Sequence, residues 1–263
     1  MTKIAIIGTG QIATSMAVLF TGNGHPCWLV SRSEASSERA LQDYKDYFAD
    51  LNKNGLVSAE QAERCRDLLT ITRDIREISD ADFIIEAVVE KLSVKHDTYR
   101  QIEGICRPEV VIASVTSGIP PEQLDSEMTH PERLVVAHPF MPPHLVPCIE
   151  IVRGTNTSDK TVEGTIELFE SVGRTVVVLK KSVSGFIANR LQYAMLREAV
   201  YLIQEGVTTA EDIDRTLMTS FGPRYSNIGL FEHMENAGLD LCASIQEYLL
   251  PLLSVEQTVQ PAI

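Results

Sequence analysis

The strongest constraint on the fold is the stretch KIAIIGTGQIA at residues 3–13. A short apolar run leads directly into Gly8 and Gly10, and residues 11–21 then carry apolar side chains at helical spacing. Between a strand and a helix, such glycines allow a tight turn and close approach of a pyrophosphate, which the helix N-terminus attracts. A strand–helix turn without a ligand is the alternative. The interpretation that we favour is a dinucleotide-binding turn with these cofactor contacts: Gly8, Gly10, Gln11 and Ile12.

Strand and helix patterns alternate through the following residues. Apolar runs predict strands at 28–30, 69–71, 83–88, 110–113, 134–137, 149–152 and 175–179. Helical spacing predicts helices within 35–66, 93–105 and 159–172. This alternation predicts an α/β fold, in which a Rossmann-type, doubly wound parallel sheet carries helices on both faces.

The pattern becomes mainly helical after residue 182. Residues 186–205 are apolar around much of the helix circumference, which predicts burial either within a helical domain or between subunits. We therefore predict a dinucleotide-binding domain at 1–182 and a smaller, all-helical domain for dimerisation and substrate binding at 183–263.

Composition excludes several classes of partner. The 263 residues carry a formal net charge of −13, which disfavours nucleic acid. Apolar runs are too short to span a bilayer, and no leader peptide is recognisable. Five scattered cysteines without a CxxC pair indicate free thiols in a reducing compartment and no metal site. We expect a cytoplasmic protein that acts on a small molecule.

The stretch CWLVSRSE at residues 27–34 bears on cofactor choice. An acidic side chain at the end of this strand normally binds the ribose of NAD. Here Ser31 stands in that place, and Arg32 can form a charge-assisted bond to a phosphate. The turn therefore favours NADP over NAD. The alternative is a solvent-facing arginine, with NAD bound through Glu34.

His138 and Glu150 form the second candidate site. They lie on consecutive predicted strands joined by a proline-rich loop, so they meet if the chain turns back. A histidine oriented by a carboxylate can act as a general base with a fixed tautomer. A histidine bonded only to the backbone is equally compatible with the pattern. We expect the other histidines at the surface.

Several stretches together resemble the 3-hydroxyacyl-CoA dehydrogenases, and more closely their L-gulonate 3-dehydrogenase or lambda-crystallin branch. The resemblance extends from residue 3 to about residue 240. It is carried by IAIIGTGQIA, DFIIEAVVEKLSVK, SVTSGIPPEQL, HPERLVVAHPFMPPHLVPCIEIV, GFIANRLQYAMLREA and FGPRYSNIG.

The resemblance implies an oxidoreductase that transfers hydride between NAD(P) and the 3-hydroxy or 3-keto group of a small hydroxy acid or 3-hydroxyacyl-CoA. It implies a homodimer. His138 would be the base and Glu150 its orienting acid. Ser117 and Asn189 would hold the substrate oxygen. Glu90 and Lys95 would contact the cofactor. Arg224 would contact a substrate carboxylate, and a structural salt bridge is the alternative for this arginine.

This chain departs from the family pattern in ways that leave alternatives open. Met141 replaces the usual asparagine, and the helical segment is short. Lys45 and Lys53 are the lysines available for a coenzyme A phosphate in the acidic region after the second strand, so we favour a free hydroxy acid. One alternative is an NADP-linked 3-hydroxy-acid or ketopantoate reductase with a catalytic lysine. Another is a non-catalytic, crystallin-like protein.

Overall fold

The computed structural model describes residues 1–259. The chain forms two compact units, the first ending at Phe186 and the second beginning at Ile187. The domain boundary expected after residue 182 stays a prediction. The last four residues of the expected second domain lie outside the described residues.

The first unit contains a series of strands and the helices that connect them. The strands are β1 (Ile4–Ile7), β2 (Cys27–Val30), β3 (Leu69–Thr72), β4 (Phe83–Glu86), β5 (Val111–Ser114), β6 (Leu134–Pro139), β7 (Cys148–Val152) and β8 (Thr175–Leu179). The α-helices are α1 (Gln11–Gly22), α2 (Glu34–Lys53), α3 (Ala59–Asp67), α4 (Leu92–Ile105), α5 (Pro121–Leu124) and α6 (Asp159–Ser171).

The strands form one sheet in the order β3-β2-β1-β4-β5-β6-β7-β8. Every neighbouring pair is parallel except β6 and β7, which are antiparallel. The predicted α/β class with a doubly wound sheet is therefore confirmed, and the sheet departs from parallel pairing only between β6 and β7, where the return of the chain that the sequence left open occurs. The link between Pro139 and Cys148 is shorter than the dozen or so residues that a parallel crossover needs, so the chain turns back.

Helices cover both faces of the sheet, which explains why its inner strands read as continuous apolar runs. All four residues of β1 are buried. Phe20 and Phe169 pack in the core on one face, and Tyr99 and Ile102 pack in the core on the other. Burial of each large apolar side chain contributes about 1.5–3 kcal/mol to folding.

The second unit is helical. Its α-helices are α7 (Ala188–Gln204), α8 (Ala210–Thr219), α9 (Leu230–Ala237) and α10 (Leu239–Leu249). Within α7, all of which the structure describes, Val200 is the only buried residue, and Tyr193 is 65% exposed. The expectation that this helix is buried inside a helical domain was wrong, and burial between subunits stays a prediction. Through residue 259, no helix is long and apolar enough to cross a membrane.

Candidate active site

The predicted site residues of the first unit gather at one edge of the sheet. Parallel strands end at the same edge, so the chain segments after β1, β2, β4, β5 and β6 all emerge there. Since β7 runs in the opposite direction, it begins at this edge. These segments carry predicted site residues, among them Gly8, Ser31, Glu90 and Ser117, and His138 lies near the end of β6 itself.

The turn between β1 and α1 fits a dinucleotide. Gly8 has a φ of +131°, and a Cβ there would lie 2.3 Å from the Ala87 carbonyl oxygen, so the turn requires glycine. Gly10 is the N-cap residue of α1, and no atom lies within 4 Å of where its Cβ would stand. Gln11 is exposed and Ile12 half-buried beside it. The helix N-terminus is thus open to a phosphate group.

In the turn between β2 and α2, Ser31 is buried and Arg32 is exposed. The hydroxyl of Ser31 makes a 2.5 Å hydrogen bond to the hydroxyl of Ser37. Ser33 caps α2 by accepting a hydrogen bond from the Ser36 backbone N–H. The Ser31 side chain therefore braces the turn, and Arg32 is the predicted contact that faces outward.

Sequence reasoning missed a second arginine, Arg73, at the same place. It follows β3 directly, and the last residue of β3, Thr72, pairs in register with Val30 of β2. Arg73 is exposed, and its Nη1 lies 3.9 Å from a carboxylate oxygen of Glu34. The strand order would have revealed it, because β2 and β3 are neighbours in most folds of this class.

His138 and Glu150 face each other across β6 and β7. They are register partners in the antiparallel pair, and His138 Nδ1 lies 2.9 Å from Glu150 Oε2. Both side chains are buried. When Nδ1–H donates to the carboxylate, the neutral ring carries its lone pair on Nε2.

Two aromatic rings contact the His138 imidazole, and sequence reasoning missed both. The ring centroid of Phe140 lies 4.9 Å away and that of Phe186 lies 5.3 Å away. Phe186 is fully buried and has a φ of +48°. No feature of the sequence predicts that Phe186 adopts a left-handed backbone conformation. These contacts restrict rotation of the imidazole.

Beneath this edge lies a buried polar cluster centred on Glu86, the last residue of β4. Its carboxylate accepts hydrogen bonds from Lys95 Nζ (2.9 and 3.1 Å), Tyr99 Oη (2.7 Å) and Ser114 Oγ (2.7 Å). It also accepts from the Val88 backbone N–H (2.9 Å), so the chain leaves the sheet before the predicted end of this strand. Burial, and next the charge of Glu86, raise the pKa of Tyr99 well above its usual value.

Lys95 joins this cluster to Glu90. The distance from Lys95 Nζ to Glu90 Oε2 is 3.2 Å. Glu90 Oε1 accepts hydrogen bonds from the Ser117 backbone N–H (3.1 Å) and from the Thr116 hydroxyl. The Lys95 side chain is 1% exposed and that of Glu90 is 47% exposed. Of these two predicted cofactor contacts, only the Glu90 side chain is exposed enough to touch a ligand directly.

Two predicted site residues belong to the second unit. Asn189 lies in the first turn of α7 and is half-buried. Arg224 lies in a 3₁₀ turn, with its guanidinium against the His233 ring, 3.3 Å from Nδ1. Their parts in the site stay predictions.

The expectation that the remaining histidines lie at the surface was wrong for His96 and inaccurate for His25, His144 and His233, which are half-buried, while the His130 side chain is 40% exposed. His96 is buried between the Gln123 carbonyl oxygen (2.7 Å) and Glu127 (3.1 Å). His144 is half-buried, and its Nδ1 lies 2.7 Å from the Ser15 hydroxyl. Both occur in loops or helices whose neighbours are distant in the sequence, which residue spacing does not reveal.

Family models match almost the whole chain. Residues 3–182 match the 3-hydroxyacyl-CoA dehydrogenase NAD binding domain, and residues 185–261 match the C-terminal domain of the same enzymes.

Curated relatives and solved structures agree with that match. The chain is 36% identical to 5-formyl-3-hydroxy-2-methylpyridine 4-carboxylate 5-dehydrogenase of Mesorhizobium japonicum over 99% of this chain and 84% of the relative. A crystal structure of an enzyme of that activity, an NAD⁺-dependent dismutase, superposes with a TM-score of 0.91 over 99% of this chain and 84% of that chain. L-carnitine dehydrogenase of Staphylococcus epidermidis is 35% identical over 90% of this chain and 73% of the relative. FadB2 of M. tuberculosis is 27% identical, with a TM-score of 0.81 over 84% and 78% of the two chains.

Proposed function

Because the chain belongs to the 3-hydroxyacyl-CoA dehydrogenase family, it is an oxidoreductase that acts on a 3-hydroxy group with an NAD-type cofactor, and we propose a small free hydroxy acid as its substrate and NADP(H) as its preferred cofactor. The observation that carries the proposal is the buried His138–Glu150 pair at the sheet edge that also holds the glycine turn. A nicotinamide cofactor, when bound, supplies the hydride acceptor or donor.

In this proposal His138 is the catalytic base. Through Nε2 it takes the proton of the substrate hydroxyl as the hydrogen on the same carbon departs with its electron pair, which leaves a ketone. The Glu150 carboxylate stabilises the imidazolium that forms. Ser117 and Asn189 orient the substrate oxygen. Because the reacting groups are then held in the correct geometry, the barrier to the proton transfer is lower. The reverse reaction returns the proton from Nε2.

The substrate class follows from charge. Between β2 and β3 the chain offers few lysines, and Asp43, Asp46 and Asp50 would repel a coenzyme A phosphate. Relatives include enzymes named for L-carnitine, which is a free 3-hydroxy acid. Arg224 is our candidate for the substrate carboxylate, through a charge-assisted hydrogen bond. The expected kinship with the gulonate branch stays a prediction.

The cofactor preference rests on the end of β2. Ser31 removes the carboxylate that would repel a 2′-phosphate, while Arg32 and Arg73 add positive charge beside it. Glu34 forms an ion pair with Arg73. This pair partly neutralises the charge of Arg73, and it also makes Glu34 less available to bind the ribose hydroxyls of NAD. We therefore keep NADP(H) as the preferred cofactor in this proposal.

We extend the proposal to a homodimer in the cytoplasm. Apolar side chains of α7, among them Leu191 and Tyr193, are exposed on the single chain, and a second copy would cover them. Cys27, Cys65 and Cys106 are buried free thiols, which suits a reducing compartment.

The test is His138→Asn, assayed with L-carnitine, other 3-hydroxy acids, their 3-keto partners and short hydroxyacyl-CoAs, each with both cofactors. We expect turnover to fall about a hundredfold to ten-thousandfold, the usual contribution of a general base, while cofactor affinity stays near that of the native protein. Affinity is measured by titrating the fluorescence of NADPH and NADH.

The outcomes separate the alternatives. Near-native turnover by His138→Asn would contradict the assignment and favour a base of another type, such as the lysine of the ketopantoate reductases. Failure of the native protein to bind either cofactor would favour a structural role. His130→Asn, a surface histidine paired with Glu132, is the control and should keep native turnover.

A further inference from the structure

Glu86 has no role in the reaction as described, yet its carboxylate accepts hydrogen bonds from the Val88 backbone N–H and from three buried side chains. We propose that Glu86 is a positioning residue, which acts through Lys95 to fix the Glu90 carboxylate and, with it, the Ser117 backbone. This inference rests on the proposed function, because Ser117 and Glu90 matter only if substrate and cofactor bind at this edge.

Burial of Glu86 points to function rather than to stability. Its carboxylate is fully buried, as are its donors Lys95, Tyr99 and Ser114. Removing charges from water costs several kcal/mol per ion, and buried ion pairs can often be replaced by apolar residues without loss of stability. A chain that only needed a packed core here would not need this cluster.

Lys95 is held from two sides. Its Nζ lies 2.9 Å from Glu86 Oε1 and 3.2 Å from Glu90 Oε2, and its side chain is enclosed. The Lys95 ammonium thus forms ion pairs with both the Glu86 and the Glu90 carboxylate. Since only Glu90 reaches the surface, Lys95 affects a ligand by placing Glu90 rather than by direct contact.

Glu90 in turn fixes the segment that follows β5. The Ser117 backbone N–H donates to Glu90 Oε1 at 3.1 Å, and the Val115 backbone N–H donates to the Glu86 carbonyl oxygen at 3.0 Å. Ser114 Oγ donates to the Glu86 carboxylate. Both ends of the turn at 114–117 are therefore tied to the two glutamates.

Loss of the Glu86 charge would release this arrangement. With a neutral amide in its place, the Lys95 ammonium would be attracted by Glu90 alone and would draw that carboxylate away from the Ser117 N–H. The Ser117 hydroxyl would then leave the position where it orients the substrate oxygen. Misplacement of about 1 Å in such groups typically costs about a hundredfold in rate.

A double-mutant cycle tests the inference. We expect Glu86→Gln to lower kcat/KM by about tenfold to a hundredfold. Because Glu86 acts through Glu90, the variant that carries both Glu86→Gln and Glu90→Gln should be no slower than Glu90→Gln alone. If the two residues act independently, the two losses will multiply instead, and the inference is overturned. It is equally overturned if Glu86→Gln keeps native kcat/KM.

A matched control separates positioning from folding. Glu103 is another enclosed carboxylate of the first unit, which accepts hydrogen bonds from the backbone N–H groups of Thr129 and His130 and lies 3.7 Å from Arg133. Glu103→Gln should lower the melting temperature but keep native kcat/KM. An equal loss of kcat/KM in this control would assign the effect of Glu86→Gln to general destabilisation and contradict the inference.

A milder variant covers the case in which Glu86→Gln does not fold. Tyr99→Phe removes one donor to Glu86 and keeps the ring, so kcat/KM should fall severalfold in the native background and not at all in the Glu90→Gln background. Equal effects in both backgrounds would overturn the inference. His138→Asn in the same assay keeps the two proposals apart: if it retains turnover, the proposed function fails, whatever Glu86 does.

Discussion

Phe186 shows how a single residue can combine backbone strain with a functional contact. Among the residues that the structure describes, it is the one non-glycine residue with a positive φ, at 48°. Such a conformation costs about 1–3 kcal/mol and persists only when surrounding packing enforces it. Here the ring is fully buried against the His138 imidazole. We infer that the strain is retained because the ring limits the orientations of His138, the proposed base.

We predict that Phe186→Leu lowers kcat by about tenfold, because a leucine leaves space in which the imidazole can rotate out of line with the substrate. The measurement is kcat with saturating cofactor and substrate, accompanied by the pH profile of kcat. KM should change less than kcat, since the ring contacts the imidazole of the proposed base.

Phe169→Leu provides the control for that prediction. Phe169 is as fully buried as Phe186 but packs against Phe20 and Phe83 in the opposite core. Both variants should lose roughly similar stability, and only Phe186→Leu should lose kcat. Parallel losses in the two variants would show that the ring supplies packing alone.

His138 and Phe186 differ in how readily a role in the candidate site can be predicted from the residue type. A histidine and a glutamate on consecutive strands are chemically conspicuous, so their meeting could be anticipated from a turn-back of the chain. Phe186 is one apolar residue in an apolar stretch, and its value comes from a backbone conformation that the sequence does not encode locally. Glu86, inside an apolar run, was conspicuous in the sequence and was nevertheless missed.

At the scale of elements, the ends of β2 and β3 form one surface. The Ser31 backbone N–H donates to the Thr72 carbonyl oxygen at 2.9 Å, which holds the residues after both strands side by side. Arg32 follows Ser31 directly, and Arg73 follows Thr72. Two guanidinium groups beside a helix N-terminus favour a phosphate over a bare hydroxyl.

We predict that Arg32→Ala and Arg73→Ala each raise KM for NADPH by about tenfold and change KM for NADH by less than about twofold, since one charge-assisted hydrogen bond to a phosphate contributes roughly 1.5–3 kcal/mol. The measurement is initial-rate kinetics with each cofactor. Arg76→Ala is the control, because the guanidinium of this nearby exposed arginine is already bound to Asp74. Equal KM changes for both cofactors would exclude a 2′-phosphate contact.

The turn between β6 and β7 departs from what the alternating pattern alone predicts. Alternation of strands and helices predicts parallel pairing, and that holds for every other neighbouring pair of the sheet. Only the length of the link after Pro139 distinguishes the exception. The reversal matters, because the antiparallel register places Glu150 directly opposite His138.

For the molecule as a whole, the fold could be predicted from the sequence because glycine spacing and alternating patterns are repeated signals. What covers the apolar face of α7 could not be predicted from the sequence, since the same apolar pattern arises whether a neighbouring helix or a second chain covers that face. The same limit applies to half-buried polar groups such as His144. Its environment is made by Ser15 on α1 and by Arg174 before β8, both far away in the sequence.

His144 connects the loop after β6 to α1, so its protonation affects the stability of the first unit. The Ser15 hydroxyl accepts a hydrogen bond from the His144 backbone N–H (3.2 Å) and can donate to Nδ1 (2.7 Å), an arrangement that requires an unprotonated Nδ1. Burial lowers the pKa of His144, and the Arg174 guanidinium lowers it further. The protonated ring is therefore better accommodated in the unfolded chain than in the folded one.

The sign of the pH dependence follows from that shift. The contribution of His144 to the free energy of unfolding is complete above the unfolded-state pKa of about 6.5 and is lost as the pH falls below that value, because the unfolded chain then binds more protons. We predict that the urea midpoint of the native protein falls between pH 7.5 and pH 5.5 by more than that of His144→Gln, which cannot be protonated. His130→Gln, with a surface histidine replaced, should follow the native curve. If the native and His144→Gln midpoints shift equally over this range, the loop does not respond to pH through His144.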